Sequence, residues 1–159
     1  MPNDDLKTLV SQGLQALIAG SGVAKRATSE IQHDTSNPEL KQALQQGEQT
    51  SARWEERIQR AAGEAGRTED EGNPVLDAHY EVSRRIRAKA RDATSRDLGI
   101  IAAGQLALHY WIAAFGTLRS YASQLGMTTS ERELQACLDE AKEADARHTE
   151  IAERIMRAA

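Results

Sequence analysis

The sequence is poor in the residues that staple small folds together. Among 159 residues there is one cysteine, Cys137, so no disulfide can form within the chain. A lone thiol suits a reducing compartment. There are only three prolines and one phenylalanine, while Ala, Glu, Gln and Arg abound, a mixture that favours helix over strand. No one charge sign dominates. A net charge of -4 gives no global drive toward nucleic acid or an anionic membrane. No apolar run approaches the ~20 residues that span a bilayer, so no membrane segment is expected. The start, Met1-Pro2-Asn3-Asp4-Asp5, is acidic and polar and does not follow the plan of a secretory signal; the expected location is cytoplasmic. A nucleophile–base motif, a glycine-rich phosphate loop and zinc-type ligand spacing are all missing, so no catalytic class is indicated.

What the sequence does contain is helical periodicity. At 40% apolar and 28% charged residues the composition is that of a globular protein. The length fits one domain over 1–159, able to bury roughly two-thirds of its unfolded surface. From about Asp4 to Asp34, Leu6, Leu9, Val10, Leu14, Leu17, Ile18, Ala24, Thr28 and Ile31 recur at three- and four-residue steps. Gly20-Ser21-Gly22 interrupts this stripe. Each mid-helix glycine costs about 1 kcal/mol against alanine, so the helix either breaks there or admits something bulky against its bare backbone. Ser36-Asn37-Pro38 reads as a turn and helix start, and a second helix runs to about Ala65, with Gly66 as its cap. A charged linker precedes a short helix from Pro74 to about Arg91, with Val75, Leu76, His79, Val82 and Ile86 on its inward side. A third long helix runs from near Thr94 to Gly126 and is the most apolar. Thr128-Thr129-Ser130 with Glu131 and Glu133 resembles a capping box that opens the last helix. Four long helices with a short one between the second and third match a bundle with a crossover connection.

Four segments carry a resemblance to a known family: Thr35 to Lys41, Trp54 to Ile58, Ile101 to Gln105 with His109 to Thr117, and Leu138 to Asp145. The third is the most specific. Over roughly residues 14–155 the chain resembles the YciF/YciE-type ferritin-like proteins, the DUF892 family. The resemblance implies an all-α fold, an up-down-down-up ferritin-like four-helix bundle with a short extra helix in the crossover, and a homodimer. Such folds resemble di-iron carboxylate proteins, in which inward Glu, Asp and His side chains hold two metals. Aligned position by position, those ligand sites fall at Ser21, at Gln49 or Thr50, at Trp54, Leu108 and Trp111, and at Ala141 and Asp145. Only Asp145 remains a good ligand, and a di-metal site needs several oxygen and imidazole donors converging on one point. No cofactor is therefore expected. Trp54 and Trp111 are the only tryptophans, and both align with ligand positions. Their rings would fill the volume left by metal and ligands, with Gly20, Gly22 and Gly47 making room.

The functional expectation is a non-enzymatic, YciF-type protein that has lost its di-metal site and has a structural or stress-associated interaction role. The alternative is an iron or manganese carboxylate protein with shifted ligands drawn from Asp145, His109, His148, Glu48 and Glu140. Of these, Asp145, His109 and His148 are the residual metal candidates. A buried His–Asp pair that orders the core accounts for His109 and Asp145 without a metal. Glu30, His33 and Asp34 look ligand-like but lie at a helix end, where solvated side chains are the rule. Arg84, Arg85, Arg87, Lys89, Arg91 and Arg96 form a basic cluster without interleaved aromatics. It reads as a solvated face pairing with Glu69, Asp70 and Glu71; the alternative is a docking site for an acidic partner, and nucleic acid is not expected. Cys137 reads as a small core residue.

Overall fold

The computed structural model describes residues 3–159 and contains five helices in this range: α1 (Asn3–Asp34), α2 (Pro38–Ala65), α3 (Pro74–Lys89), α4 (Ala93–Gln124) and α5 (Thr128–Ala158). Contacts across the bundle fix its topology. Gly13 meets Leu118 and Gly20 meets Trp111, so α1 and α4 run antiparallel. Glu39 pairs with Arg154, Trp54 with Glu140 and Arg60 with Glu133, so α2 and α5 do too. With the α1–α2 and α4–α5 hairpins, the direction sequence is up-down-down-up, and α3 carries the crossover against α1 and α4.

The helix ends follow local chemistry except at α5. Asn37 accepts the N–H groups of Glu39 and Leu40, and Pro38 occupies the first turn of α2. Gly66 ends α2 at φ 94°, a conformation open to glycine at little cost. The expected capping box at Thr128–Ser130 does not form. Glu64 of α2 caps α5 instead, its carboxylate accepting the N–H of Thr129 (3.2 Å) and the N–H (2.6 Å) and hydroxyl (2.7 Å) of Ser130. Partial burial opposes the charge of Glu64, but these Ser130 and Thr129 bonds outweigh it and hold the carboxyl below its ordinary value. A lowered folded pKa contributes stability above the unfolded value, and that contribution is lost as pH falls through the folded one. Glu64→Gln should therefore cost about 1 kcal/mol at neutral pH and flatten the loss of stability below pH 4.5. Urea titrations across pH 3–7 check it; equal acid sensitivity in both proteins would refute the cap's role.

Three expectations are corrected. In α3 the buried residues are Leu76, Ser83 and Arg87, while Val75, Val82 and Ile86 are exposed. Arg87 is buried because α1 supplies its partners: Asp34 at 2.8 Å, Glu30 at 2.9 Å and, within α3, Ser83 at 2.9 Å. Of the basic cluster, Arg87 and Arg84 thus pair with the end of α1, while Arg85 pairs with Glu81 within α3; Glu30 and Asp34, 44% and 45% exposed, anchor α3 from a helix end that stays solvated. Third, α4 does contain an 18-residue window of mean hydropathy 1.5, long and apolar enough by composition to cross a membrane. One third of that window is buried in the bundle, and Leu106 within α4 is exposed. Ile100, Ile101, Ala103, Ala107, Trp111, Phe115, Leu118 and Ala122 are buried against the neighbouring helices.

Candidate functional site

Midway along the bundle the core is aromatic. Trp54 of α2 and Trp111 and Phe115 of α4 are all 5% exposed or less. Their ring centroids lie 5.2–5.9 Å apart, Trp54 edge-on to Phe115 and Trp111 stacked on it, geometries that suit the ring quadrupoles. Tyr110 adds an edge contact to Trp111. α1 passes this cluster at Gly20, where an added Cβ would come within 3.3 Å of the Trp111 ring, 2.8 Å of Leu76 and 2.7 Å of Asn73. This is the bulky contact that the unbroken glycine step admits. Gly47 has open space instead, and a Cβ on Gly22 would meet only the Arg26 guanidinium, at 3.7 Å.

The Trp54 indole N–H donates to Glu140 of α5 at 2.8 Å, not to Thr50 or Asp145. Glu140 also lies 2.9 Å from Nη1 of Arg57, an ion pair by distance without hydrogen-bond alignment. Nearby, Cys137 is fully buried, and burial pushes its thiol up to about 12. It is a packed, unreactive sulfur.

The aligned ligand positions are only partly brought together. Thr50, Trp54, Leu108 and Trp111 line one cavity of about 360 Å³. Ser21 turns its hydroxyl back on its own helix, to the Leu17 carbonyl, and Ala141 is packed in the core. The three residual candidates do not converge. His109 Nε2 lies 3.2 Å from Asp145 Oδ2, but the His109 side chain is 65% exposed, so the pair sits at the surface and not in the core. His148 is buried and donates from Nδ1 to the Ala144 carbonyl at 2.8 Å; burial moves its pKa down, toward the neutral ring. Glu48 is exposed. Among the described residues, no three His, Cys, Asp or Glu side chains are grouped to hold a metal. The aligned positions offer one carboxylate, Asp145, and two hydroxyls, Ser21 and Thr50, beside two indoles and two aliphatic side chains, short of the several oxygen and imidazole donors that iron or manganese takes.

Sequence reasoning missed Tyr110 and Asp97, and it named Glu140 as an alternative metal ligand, not as the acceptor of the Trp54 indole. Asp97 is 3% exposed and accepts the N–H groups of Ser36 (2.9 Å) and Asn37 (2.8 Å). Each depends on a partner distant in sequence, so no local pattern marks it.

The topology and the aromatic midsection define a ferritin-like helical bundle with an apolar centre. Residues 5–159 match the family described as domain of unknown function, DUF892, and the chain belongs to it. It is 29% identical over 135 residues to Protein YciF of Escherichia coli strain K12, covering 80% of this chain and 78% of that one. The crystal structure of the E. coli stress protein YciF superposes with a TM-score of 0.91 at 24% identity, over 97% of this chain and 98% of that one. YcfI of Rhodopseudomonas palustris, for which a structural role has been suggested, gives 0.85 at 24% identity over 91% and 92%.

Proposed function

We propose that this chain is a non-enzymatic member of the YciF-type family that holds no di-metal centre and serves a structural or stress-associated interaction role as a homodimer. The observation that carries the reading is the aromatic cluster. Where the family resemblance places ligands, Trp54 and Trp111 pack with Phe115, and the adjacent carboxylate, Glu140, is engaged by the Trp54 indole and Arg57. A carboxylate held in this way is a poor metal ligand. The exposed side chains Val75, Val82 and Ile86 of α3 and Leu106 of α4 give the bundle apolar surface that a second copy would cover.

The test is metal analysis of untagged protein after anaerobic reconstitution with iron or manganese. Less than one equivalent per chain and no ferroxidase activity are expected. Two irons per chain with an oxo-bridged absorption band would overturn the reading. Light scattering of the same sample should give about twice the chain mass of 17.4 kDa; a monomer would remove the dimer from the proposal.

A further inference from the structure

The tryptophans do not fill the centre of the bundle completely. The cavity they line has a volume of about 360 Å³, within the roughly 300–1,000 Å³ range of small-molecule sites. It is more than twice the roughly 150 Å³ cavity that is known to hold benzene in another protein. All five helices contribute to its wall, with small residues such as Ala43, Gly104, Ala107 and Ala144 leaving the space. Its exposed lining residues Gln46, Arg53 and Glu143 lie on α2 and α5, so the mouth opens between those helices. Side chains span the mouth: Arg147 donates to Gln46, and Arg53 approaches Glu140 at 3.8 Å.

Two of the wall's polar groups without a hydrogen bond bear on what it could hold. Nδ1 of His148 is committed to the Ala144 carbonyl and must carry the proton there, so Nε2 of the neutral ring presents a lone pair. The Nε2 and Cδ2 atoms lie 3.6 Å from where a Cβ on Gly104 would sit, and both residues border the cavity. Tyr80 is the second. Burial alone pushes its phenol up to about 12, with no hydrogen bond acting on it, and it borders the same space. At the mouth Arg53 approaches Glu140 and Arg147 donates to Gln46, while Glu143 has no ion-pair partner among the described residues and sets a negative charge against an anionic guest, which would also be desolvated on entry.

We propose that this cavity is a binding site for a neutral aromatic molecule of bicyclic size bearing one hydroxyl or N–H donor, packed against the indoles of Trp54 and Trp111 and hydrogen-bonded to Nε2 of His148. The indoles supply flat apolar faces. His148 supplies the acceptor that orients the guest, and the Tyr80 hydroxyl offers a second polar contact. This assignment rests on the proposed absence of a di-metal centre at Thr50, Trp54, Leu108 and Trp111, which line the same cavity; metal analysis tests that reading and guest titration tests this one.

The probes are 1-naphthol, naphthalene and 1-naphthoate, titrated into the intact protein by calorimetry and by NMR of the indole N–H signals. Trp54 and Trp111 are the only tryptophans, so both signals report on the cavity. Naphthol should bind saturably at one site per chain and shift both indoles. Naphthalene should bind about tenfold more weakly, the worth of one hydrogen bond, and naphthoate should not bind. His148→Phe keeps the volume and should remove the preference for naphthol over naphthalene. Gly104→Leu should abolish binding of both; if that variant does not fold, Ala144→Leu narrows the same space from α5. Absence of saturable binding, equal binding of naphthoate, or binding that survives the space-filling variants would each overturn the assignment.

Discussion

Replacing Trp111 by alanine should lower the free energy of unfolding by about 3–5 kcal/mol, the range seen for a large buried aromatic side chain. The ring is 4% exposed and touches three other aromatics, Trp54, Phe115 and Tyr110. Its loss removes that burial and those contacts together. The site is also badly placed to collapse. It borders an existing cavity of about 360 Å³, so the new void adds to an old one, and the penalty grows with void volume. On the far side Gly20 presents backbone with no side chain to swing inward. Against a typical stability of about 5–15 kcal/mol, the variant should unfold at a markedly lower urea midpoint with an unchanged slope. Trp111→Phe keeps part of the ring and should fall between the two. A loss under about 1 kcal/mol in the alanine variant would show that the aromatic cluster does not hold the centre of the bundle.

The long helices were legible because their signals are local. Asn37-Pro38, Gly66 and the apolar period of α1 specify ends and faces without help from elsewhere. The family resemblance placed both tryptophans inside, and the Gly20-Ser21-Gly22 step left either a helix break or a bulky neighbour; the structure shows an unbroken helix with Trp111 close to Gly20. Local reasoning failed on α3, where hydrophobicity pointed to Val75, Val82 and Ile86 and the structure buries Ser83 and Arg87. A helix of sixteen residues lying across only two others takes its orientation from what they offer. Here α1 offers Glu30 and Asp34, and a guanidinium satisfied by two carboxylates and a hydroxyl outweighs a modest apolar stripe. The cavity escaped notice for a related reason. Counting lost ligands and gained rings says that volume is exchanged, but whether it is exchanged in full depends on Ala43, Gly104, Ala107 and Ala144 on three different helices.

Asp97→Ala should cost about 2–4 kcal/mol, because hydrogen bonds to a charged group are worth about 1.5–3 kcal/mol each and this carboxylate makes two. Asp97 sits in the second turn of α4, yet it organises the turn between α1 and α2. One oxygen accepts the Ser36 N–H and the other the Asn37 N–H, at 2.9 and 2.8 Å. Those amides precede α2 and have no helical partners, so alanine leaves both without an acceptor beside a 3%-exposed site. Ser36 is itself exposed, and water reaching its amide keeps the expected loss below the full value of two charged bonds. Asp97→Asn retains one acceptor oxygen and should recover about half. The distinguishing readout is local. Hydrogen exchange at Ser36 and Asn37 should accelerate in Asp97→Ala by more than global destabilisation explains, while amides of the Trp54 region change only with the global term. Uniform acceleration across both regions would mean that Asp97 contributes to overall stability without tying α4 to the first hairpin.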